Sequence, residues 1–283
     1  MLKIDGIEKK YKDFHLNCTM EVRSGYVTGL IGSNGAGKST TFKAILELIK
    51  LDGGSISLFD KDIQDITIAD KEDLGIVLAE SGFSGYLTIK KIIPILSKLY
   101  GRFNKEYFLE QCNQFKLPLD KPLKDFSTGM RAKINLIIAI SHDAKLLILD
   151  EPTAGLDVIA RDELLEMLRI YMETENRSIL ISSHISSDLE GLCDDLYMIK
   201  EGKIIFHEDT DVLLGEYGTL KLDEDQYKEI DKTQLIYMKK ETFGYLCLTK
   251  NKQYYLDNYP EYVIEKGNID DVVTIIEKGE KVC

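Results

Sequence analysis

One run of nine residues constrains this chain more than any other: Gly32-Ser33-Asn34-Gly35-Ala36-Gly37-Lys38-Ser39-Thr40. It satisfies the pattern GxxxxGK[ST] and stands between an apolar stretch at 26–31 and a stretch at 40–50. The first reads as a strand. The second carries Phe42, Ile45, Leu46 and Ile49 at spacings of three and four, which predicts an amphipathic helix ending before a Gly53-Gly54 turn. Glycines let backbone N–H groups converge on phosphate oxygens with no Cβ in the way, and a helix N-terminus adds partial positive charge. In this context Lys38 is expected to reach the β- and γ-phosphates and the Ser39 hydroxyl to ligate Mg²⁺, with Ser33, Asn34, Gly35, Ala36, Gly37 and Thr40 completing the cradle.

A second signal lies downstream. Residues 146–149 form a continuous apolar run that ends in Asp150 and Glu151, two carboxylates where a buried parallel strand reaches its C-terminal edge. Alone, such a pair is more often a solvated strand end. With a phosphate loop upstream, Asp150 is expected to hold Mg²⁺ through water and Glu151 to act as general base on the attacking water. A strand at 178–182 and a helix at 160–172 complete a βαβ arrangement, and β-prone runs at 16–22 and 26–31 precede the glycine loop.

The pattern changes twice. Between about 87 and 140 the strand signal gives way to helical stretches broken by Pro94, Pro118 and Pro122, which predicts an inserted helical subdomain at about 85–142. After 214 the chain holds eight of its fifteen tyrosines and no further phosphate-type glycine motif. Residues 215–283 are therefore expected to form a separable appendage, a small α+β unit that does not build the nucleotide site, beside a main unit at 1–214.

Composition narrows the function. Lysine plus arginine is 36 against 48 for aspartate plus glutamate, a formal charge of −12, which opposes nonspecific contact with nucleic acid or anionic lipid. No apolar run approaches the ~20 residues that span a bilayer. Five cysteines at 18, 112, 193, 247 and 283 show no CxxC pair, and the N-terminus lacks a signal-like apolar block, so a cytoplasmic location is expected.

With these motifs in order, roughly residues 1–214 resemble the ATP-binding cassette family, the nucleotide-binding subunits of ABC transporters. Phe126-Ser127-Thr128-Gly129-Met130 is similar to the family's LSGGQ signature in the STGM variant of exporter-type subunits. The resemblance implies that Ser127 and Gly129 contact the γ-phosphate of ATP held by an opposite protomer; a plain helix cap by Ser127 or Thr128 is compatible with that role. Ala154-Gly155-Leu156-Asp157 resembles the D-loop, which lies across a dimer interface, and His184 resembles the switch histidine that senses the γ-phosphate. Tyr11 resembles the aromatic that stacks on adenine. The implied fold is an α/β P-loop NTPase with a mixed and parallel sheet core, N-terminal antiparallel strands, the helical insert and the C-terminal appendage. The implied protein is an ATPase with ATP and Mg²⁺ as ligands. It works as a homodimer or heterodimer on an integral membrane permease, without nucleic acid, and exports a drug, an antimicrobial peptide or a similar cargo.

One position departs from the family pattern. A Mg²⁺-ligating glutamine is expected between the first sheet and the helical insert, where this chain has Ala79, with Glu80 adjacent as a substitute oxygen donor. Two other readings stay open, a soluble ABC ATPase in translation or chromosome maintenance and a poorly hydrolysing ATP-binding module. A GTPase is disfavoured, because Asn104-Lys105-Glu106-Tyr107 and Asn251-Lys252-Gln253-Tyr254 lack the aspartate of an NKxD guanine reader.

Overall fold

The computed structural model describes residues 1–78 and 82–282, and Ala79 and Glu80 lie outside the described residues. Two sheets organise them. In the ten-stranded sheet the parallel strands run, neighbour to neighbour, Asp195–Lys200, Val27–Ile31, Ser178–Ser183, Leu146–Asp150 and Leu74–Val77. Val27–Ile31, Leu146–Asp150 and Ser178–Ser183 are buried at every residue, as unbroken apolar runs such as Leu146-Leu147-Ile148-Leu149 require when both faces are covered. Leu2–Lys10 pairs antiparallel with His15–Val22 and with Gly53–Leu58, forming the antiparallel wing. His15–Val22 alternates exposed and buried along its whole length, the mark of a sheet with one wet face.

Local expectations shift in instructive ways. The helix after the glycine loop spans Lys38–Ile45 rather than 40–50. It begins directly at the loop, with Gly37 as its N-cap, and stops where Glu47 takes a left-handed φ of 55°. Gly53-Gly54 is the start of a strand rather than a turn, with Gly53 paired to Glu8. Pro94 does not break its helix but lies inside Ile89–Leu99, where the missing N–H forfeits one backbone bond while Ile89, Ile92 and Leu96 stay buried along one stripe. The helix Val158–Met172 starts two residues earlier than 160, because Asp157 caps it by accepting from Ala160 N at 2.9 Å.

Between Leu74–Val77 and Leu146–Asp150 stand three helices, Ile89–Leu99, Lys105–Gln114 and Thr128–Ile140. Beyond the cassette-like strands a five-stranded antiparallel sheet is built from Gly218–Leu222, Leu235–Glu241, Gly244–Thr249, Val263–Lys266 and Glu280–Lys281. One cluster, with Leu220, Leu222, Ile230, Leu235, Cys247 and Tyr255, belongs to this sheet alone. Tyr217, Leu248, Ile269, Val272, Ile275 and Ile276 instead join the same apolar core as Leu189, Cys193, Leu196 and Met198 of the large sheet and its helices. The tyrosine-rich part thus forms a second sheet with a cluster of its own and, through Tyr217, Leu248 and the last helix, also packs into the core of the large sheet.

Candidate functional site

The parallel strands end at one edge, and the side chains singled out in the sequence emerge there. Val27–Ile31 feeds the glycine loop, Leu146–Asp150 delivers Asp150 and Glu151, and Ser178–Ser183 delivers His184, with Asp150 directly paired to Ser182. The loop requires glycine at two places. A Cβ on Gly32 would stand 2.4 Å from the Ile199 carbonyl oxygen, and Gly37 holds φ at 120° with Phe14 3.0 Å from where its Cβ would be.

The helix Lys38–Ile45 has no side-chain cap and no acidic residue in its first turn. Its leading N–H groups and the positive end of its dipole are thus left to an anion. Lys38 is almost fully buried, and its Nζ donates to the Gly32 carbonyl at 2.5 Å and lies 3.2 Å from Glu151 Oε1. Thr41 Oγ1 donates back to the Gly37 carbonyl at 3.0 Å, locking the loop onto its helix. Beneath it, burial pushes the Cys18 thiol up to about 12 despite an opposing hydrogen bond with Thr41.

Glu151 is held on every side. It takes a left-handed φ of 52°, a strained value for a residue with a side chain. Its N–H donates to Ser182 Oγ at 3.0 Å, and the same hydroxyl donates to Asp150 Oδ1 at 2.7 Å. Glu151 Oε2 accepts from the His184 backbone N–H at 3.3 Å and lies 2.5 Å from His184 Nδ1. Both carboxylate oxygens are therefore engaged, one by Lys38 and one by His184.

These groups line a cavity of about 630 Å³ whose wall includes Ser33, Asn34, Gly35, Gly37, Ser39, Thr40 and Phe14. Asp150 lines a neighbouring cavity, and Glu151 is common to both. Phe14 rather than Tyr11 is the aromatic lining the phosphate-side cavity. Tyr11 stands half exposed with its ring centroid 6.3 Å from that of Phe14. Sequence reasoning missed Phe14, although its place three residues beyond Tyr11 before the next strand was the available signal. A further cavity of about 680 Å³ shares Phe14 and Ser33 to Gly35 with the first and adds Ala36, Lys200 and Glu277. Lys200 Nζ donates to the Glu277 carbonyl at 2.6 Å. The C-terminal helix Ile269–Lys278 thus contributes Glu277 to a cavity walled in part by the glycine loop.

Ser127, Gly129 and Asp157 do not join this cavity. Ser127 caps Thr128–Ile140, accepting from Met130 N at 3.2 Å, and remains exposed. A Cβ on Gly129 would lie 2.9 Å from Ala160 Cβ, so the signature turn packs on the first turn of the helix that Asp157 caps. Beside them Val158 and Ile159 expose 80% and 73% of their surface, an apolar pair too large to be left wet without cost.

The donor set fits a hard divalent cation. Ser39 brings a hydroxyl and Asp150 a carboxylate to adjoining walls, while among the described residues no three of His, Cys, Asp or Glu gather to hold a metal alone. That is the expected arrangement for Mg²⁺, which keeps waters and takes oxygens from substrate phosphates.

The ABC transporter family profile matches residues 16–154. The chain is 36% identical over 215 residues to the lantibiotic transport ATP-binding protein SrtF of Streptococcus pyogenes, covering 75% of this chain and 92% of that protein. It is 33% identical to the bacitracin transport ATP-binding protein BcrA of Bacillus licheniformis, covering 72% of this chain and 66% of that protein. Among solved structures, an ATP-binding subunit of an ABC transporter superposes with a TM-score of 0.67 at 26% identity, over 75% of this chain and 91% of that one. A dimeric cassette in a post-hydrolysis state with ADP and Pi shares the fold, with a TM-score of 0.66 at 19% identity over 74% of this chain and 99% of that one.

Proposed function

The chain belongs to the ABC transporter family as an ATP-binding, ATP-hydrolysing subunit, and from that premise we propose how its residues divide the work. The reading rests above all on one observation: Lys38, Glu151 and His184 converge at the mouth of a helix whose N-terminus has no side-chain cap. Residues 33–40 cradle the triphosphate, with Lys38 on its β- and γ-phosphates, and the ring edge made by Tyr11 and Phe14 receives the adenine.

Ser39 and, through water, Asp150 would hold Mg²⁺, whose chemistry there would be to neutralise phosphate charge. Glu151 accepts the proton of the attacking water. His184, through its Nδ1 contact with Glu151 Oε2, keeps the carboxylate aimed and contacts the γ-phosphate. The surface formed by the exposed Ser127, Asp157, Val158 and Ile159 with the half-buried Gly129 meets a second ATPase subunit, so that two ATP molecules are shared between two sites. No helix among the described residues is long and apolar enough to cross a membrane. In this reading transport proceeds through a permease partner on the cytoplasmic face, which the relatives named for transport support. Relatives named for lantibiotic and bacitracin transport support export of an antimicrobial peptide, a drug or a similar cargo. Residues 1–214 form the ATPase unit, with the helical part at 85–142 facing the permease, and 215–283 extend it.

Glu151→Gln tests the assignment. Turnover should fall about 10²–10⁴-fold with ATP binding retained, and an ATP-dependent dimer should accumulate on gel filtration. Wild-type turnover in this variant overturns the role of Glu151.

A further inference from the structure

Asp188 is fully buried; one carboxylate oxygen is hydrogen-bonded, and the other makes no hydrogen bond but stands in an ion pair. Oδ2 accepts from Thr153 Oγ1 at 2.6 Å, and Oδ1 lies 2.5 Å from Arg161 Nε. Arg161 also donates to Ser187 Oγ at 2.7 Å. These residues belong to separate segments. Thr153 follows Glu151 by two positions, Arg161 stands in the first turns of Val158–Met172, and Asp188 lies in the short helix Ser186–Glu190 that follows His184. The loop 154–157 runs between Thr153 and the helix carrying Arg161, with Ala154 N donating to the Glu151 carbonyl and Leu156 N to the Thr153 carbonyl. One buried carboxylate therefore closes both ends of that loop and ties it to the segment carrying His184.

We propose that Thr153, Asp188 and Arg161 are positioning residues for hydrolysis. Asp188 is the pin that makes the loop 154–157, Glu151 and His184 a single mechanical unit. The inference rests on the reading of Glu151 as general base. Burying a carboxylate is unfavourable unless it is paired and hydrogen-bonded, and an apolar group would fill the same space without that penalty. What the charged group supplies is direction: one hydrogen bond to Thr153 and one ion pair with Arg161, made by the same carboxylate, fix the angle between two strand ends whose side chains, Glu151 and His184, must stay in hydrogen-bond contact. A displacement of the loop, such as a second subunit pressing on Asp157 would cause, then reaches the Glu151–His184 pair through Asp188. Without the pin the two strand ends relax separately, and the base loses alignment while the phosphate cradle at 33–40 stays intact.

The test compares Thr153→Val, Thr153→Ser, Asp188→Asn and Glu151→Gln in the full chain, by steady-state ATPase kinetics and by equilibrium binding of a fluorescent ATP analogue. Thr153→Val and Asp188→Asn should each lower kcat about ten- to a hundredfold, the range that misalignment of a reacting group produces, with nucleotide affinity unchanged. Thr153→Ser, which restores the hydroxyl, should recover kcat to within about twofold, a difference of well under one RT-scaled decade. The Thr153→Val/Asp188→Asn double variant should be no slower than the slower single, because both remove one device. Wild-type kcat in Thr153→Val, losses that track nucleotide affinity, or multiplicative losses in the double variant each overturn the proposal. Should Asp188→Asn fail to fold, Thr153→Val decides alone, since it leaves the Arg161 pair in place. Glu151→Gln separates the two readings: inactive Glu151→Gln beside fully active Thr153→Val removes only the pin, whereas active Glu151→Gln removes the general base and the pin with it.

Discussion

The sheet edge that carries the glycine loop and the five-stranded sheet at the C-terminal end of the chain are ordered by different interactions. At the edge, backbone and charge dominate: Lys38 answers to the Gly32 carbonyl and Glu151, Glu151 to His184, and Asp150 to Ser182. In the C-terminal sheet, aromatic rings dominate. Tyr227 and Tyr245 stack with centroids 3.9 Å apart. Three further tyrosines converge on Asp231: Tyr254 OH donates to its carboxylate at 2.6 Å, Tyr255 OH donates to its carbonyl at 2.7 Å, and Tyr259 OH accepts from its N–H at 2.9 Å. Tyrosine is the economical residue here, since one side chain supplies ring area to the cluster and a hydroxyl to a polar centre. The contrast teaches that chemistry and stability are housed apart, yet the two regions are not independent. The helix Ile269–Lys278 buries Ile269, Val272, Ile275 and Ile276 in the core shared with the large sheet and places Glu277 beside the glycine loop.

The strongest way to break that comparison is to remove one side of it. A chain ending at Leu214 strips Tyr217, Leu248 and the four helix residues from the shared core, and each fully buried apolar side chain is worth about 1.5–3 kcal/mol. The truncated chain should unfold at a markedly lower temperature and bind an apolar dye in the native baseline. An unchanged melting temperature would show that the ten-stranded sheet needs none of that cover.

A single substitution sharpens the same point. Ile275→Ala should cost about 2–5 kcal/mol and move one cooperative transition that includes both sheets, because Ile275 is fully buried in the core the two sheets share. If calorimetry instead resolves a destabilised C-terminal transition beside an unshifted main one, the shared core does not couple the regions.

At the edge the corresponding change is smaller in stability and larger in chemistry. Ser182→Ala removes the hydroxyl that both accepts from Glu151 N and donates to Asp150 Oδ1, a loss of about 1–3 kcal/mol for a buried network. Turnover should fall more than the melting temperature suggests, since the carboxylate pair loses its common anchor. ATPase rates and thermal melts measured together check this.

The smallest effect concerns thiols in both regions. Burial pushes Cys18, Cys112 and Cys247 up to about 12, and Cys193 well upward as well. All four stay neutral at pH 8 and should resist a thiol reagent in the native protein while reacting after denaturation. Because the folded values lie above the unfolded value near ~8.5, their contribution to stability is complete below that pH and declines as pH rises above it. Rapid native labelling at pH 8 would show that the thiols are reached by local opening.

How much of this could be read in advance differs by residue. The run 32–40 declares phosphate chemistry because its spacing encodes a backbone shape that only glycine permits, and Asp150 and Glu151 declare themselves by following an apolar strand. His184 carries little local signal; its meaning comes from the strand pairing that sets it 2.5 Å from Glu151. The helix limits at Lys38 and Ile45, the tolerated Pro94 and the strand at Gly53 were decided by partners far along the chain.

What the sequence determined by itself was therefore the chemistry of the glycine loop, the order of strand and helix around it, and the presence of a compositionally distinct C-terminal part. Only the tertiary structure decided that Phe14 lines the phosphate-side cavity, that Glu277 lines the adjoining one, that Thr153 and Arg161 meet on Asp188, and that the two sheets share a core. The physical reason is one of range. Loop shape, capping and periodicity act over a few residues and leave a mark in the local sequence. Contacts such as Thr153 with Asp188, 35 residues apart, or Lys200 with Glu277, 77 apart, follow from how strands choose their neighbours, and that choice is made by burial summed over the whole chain.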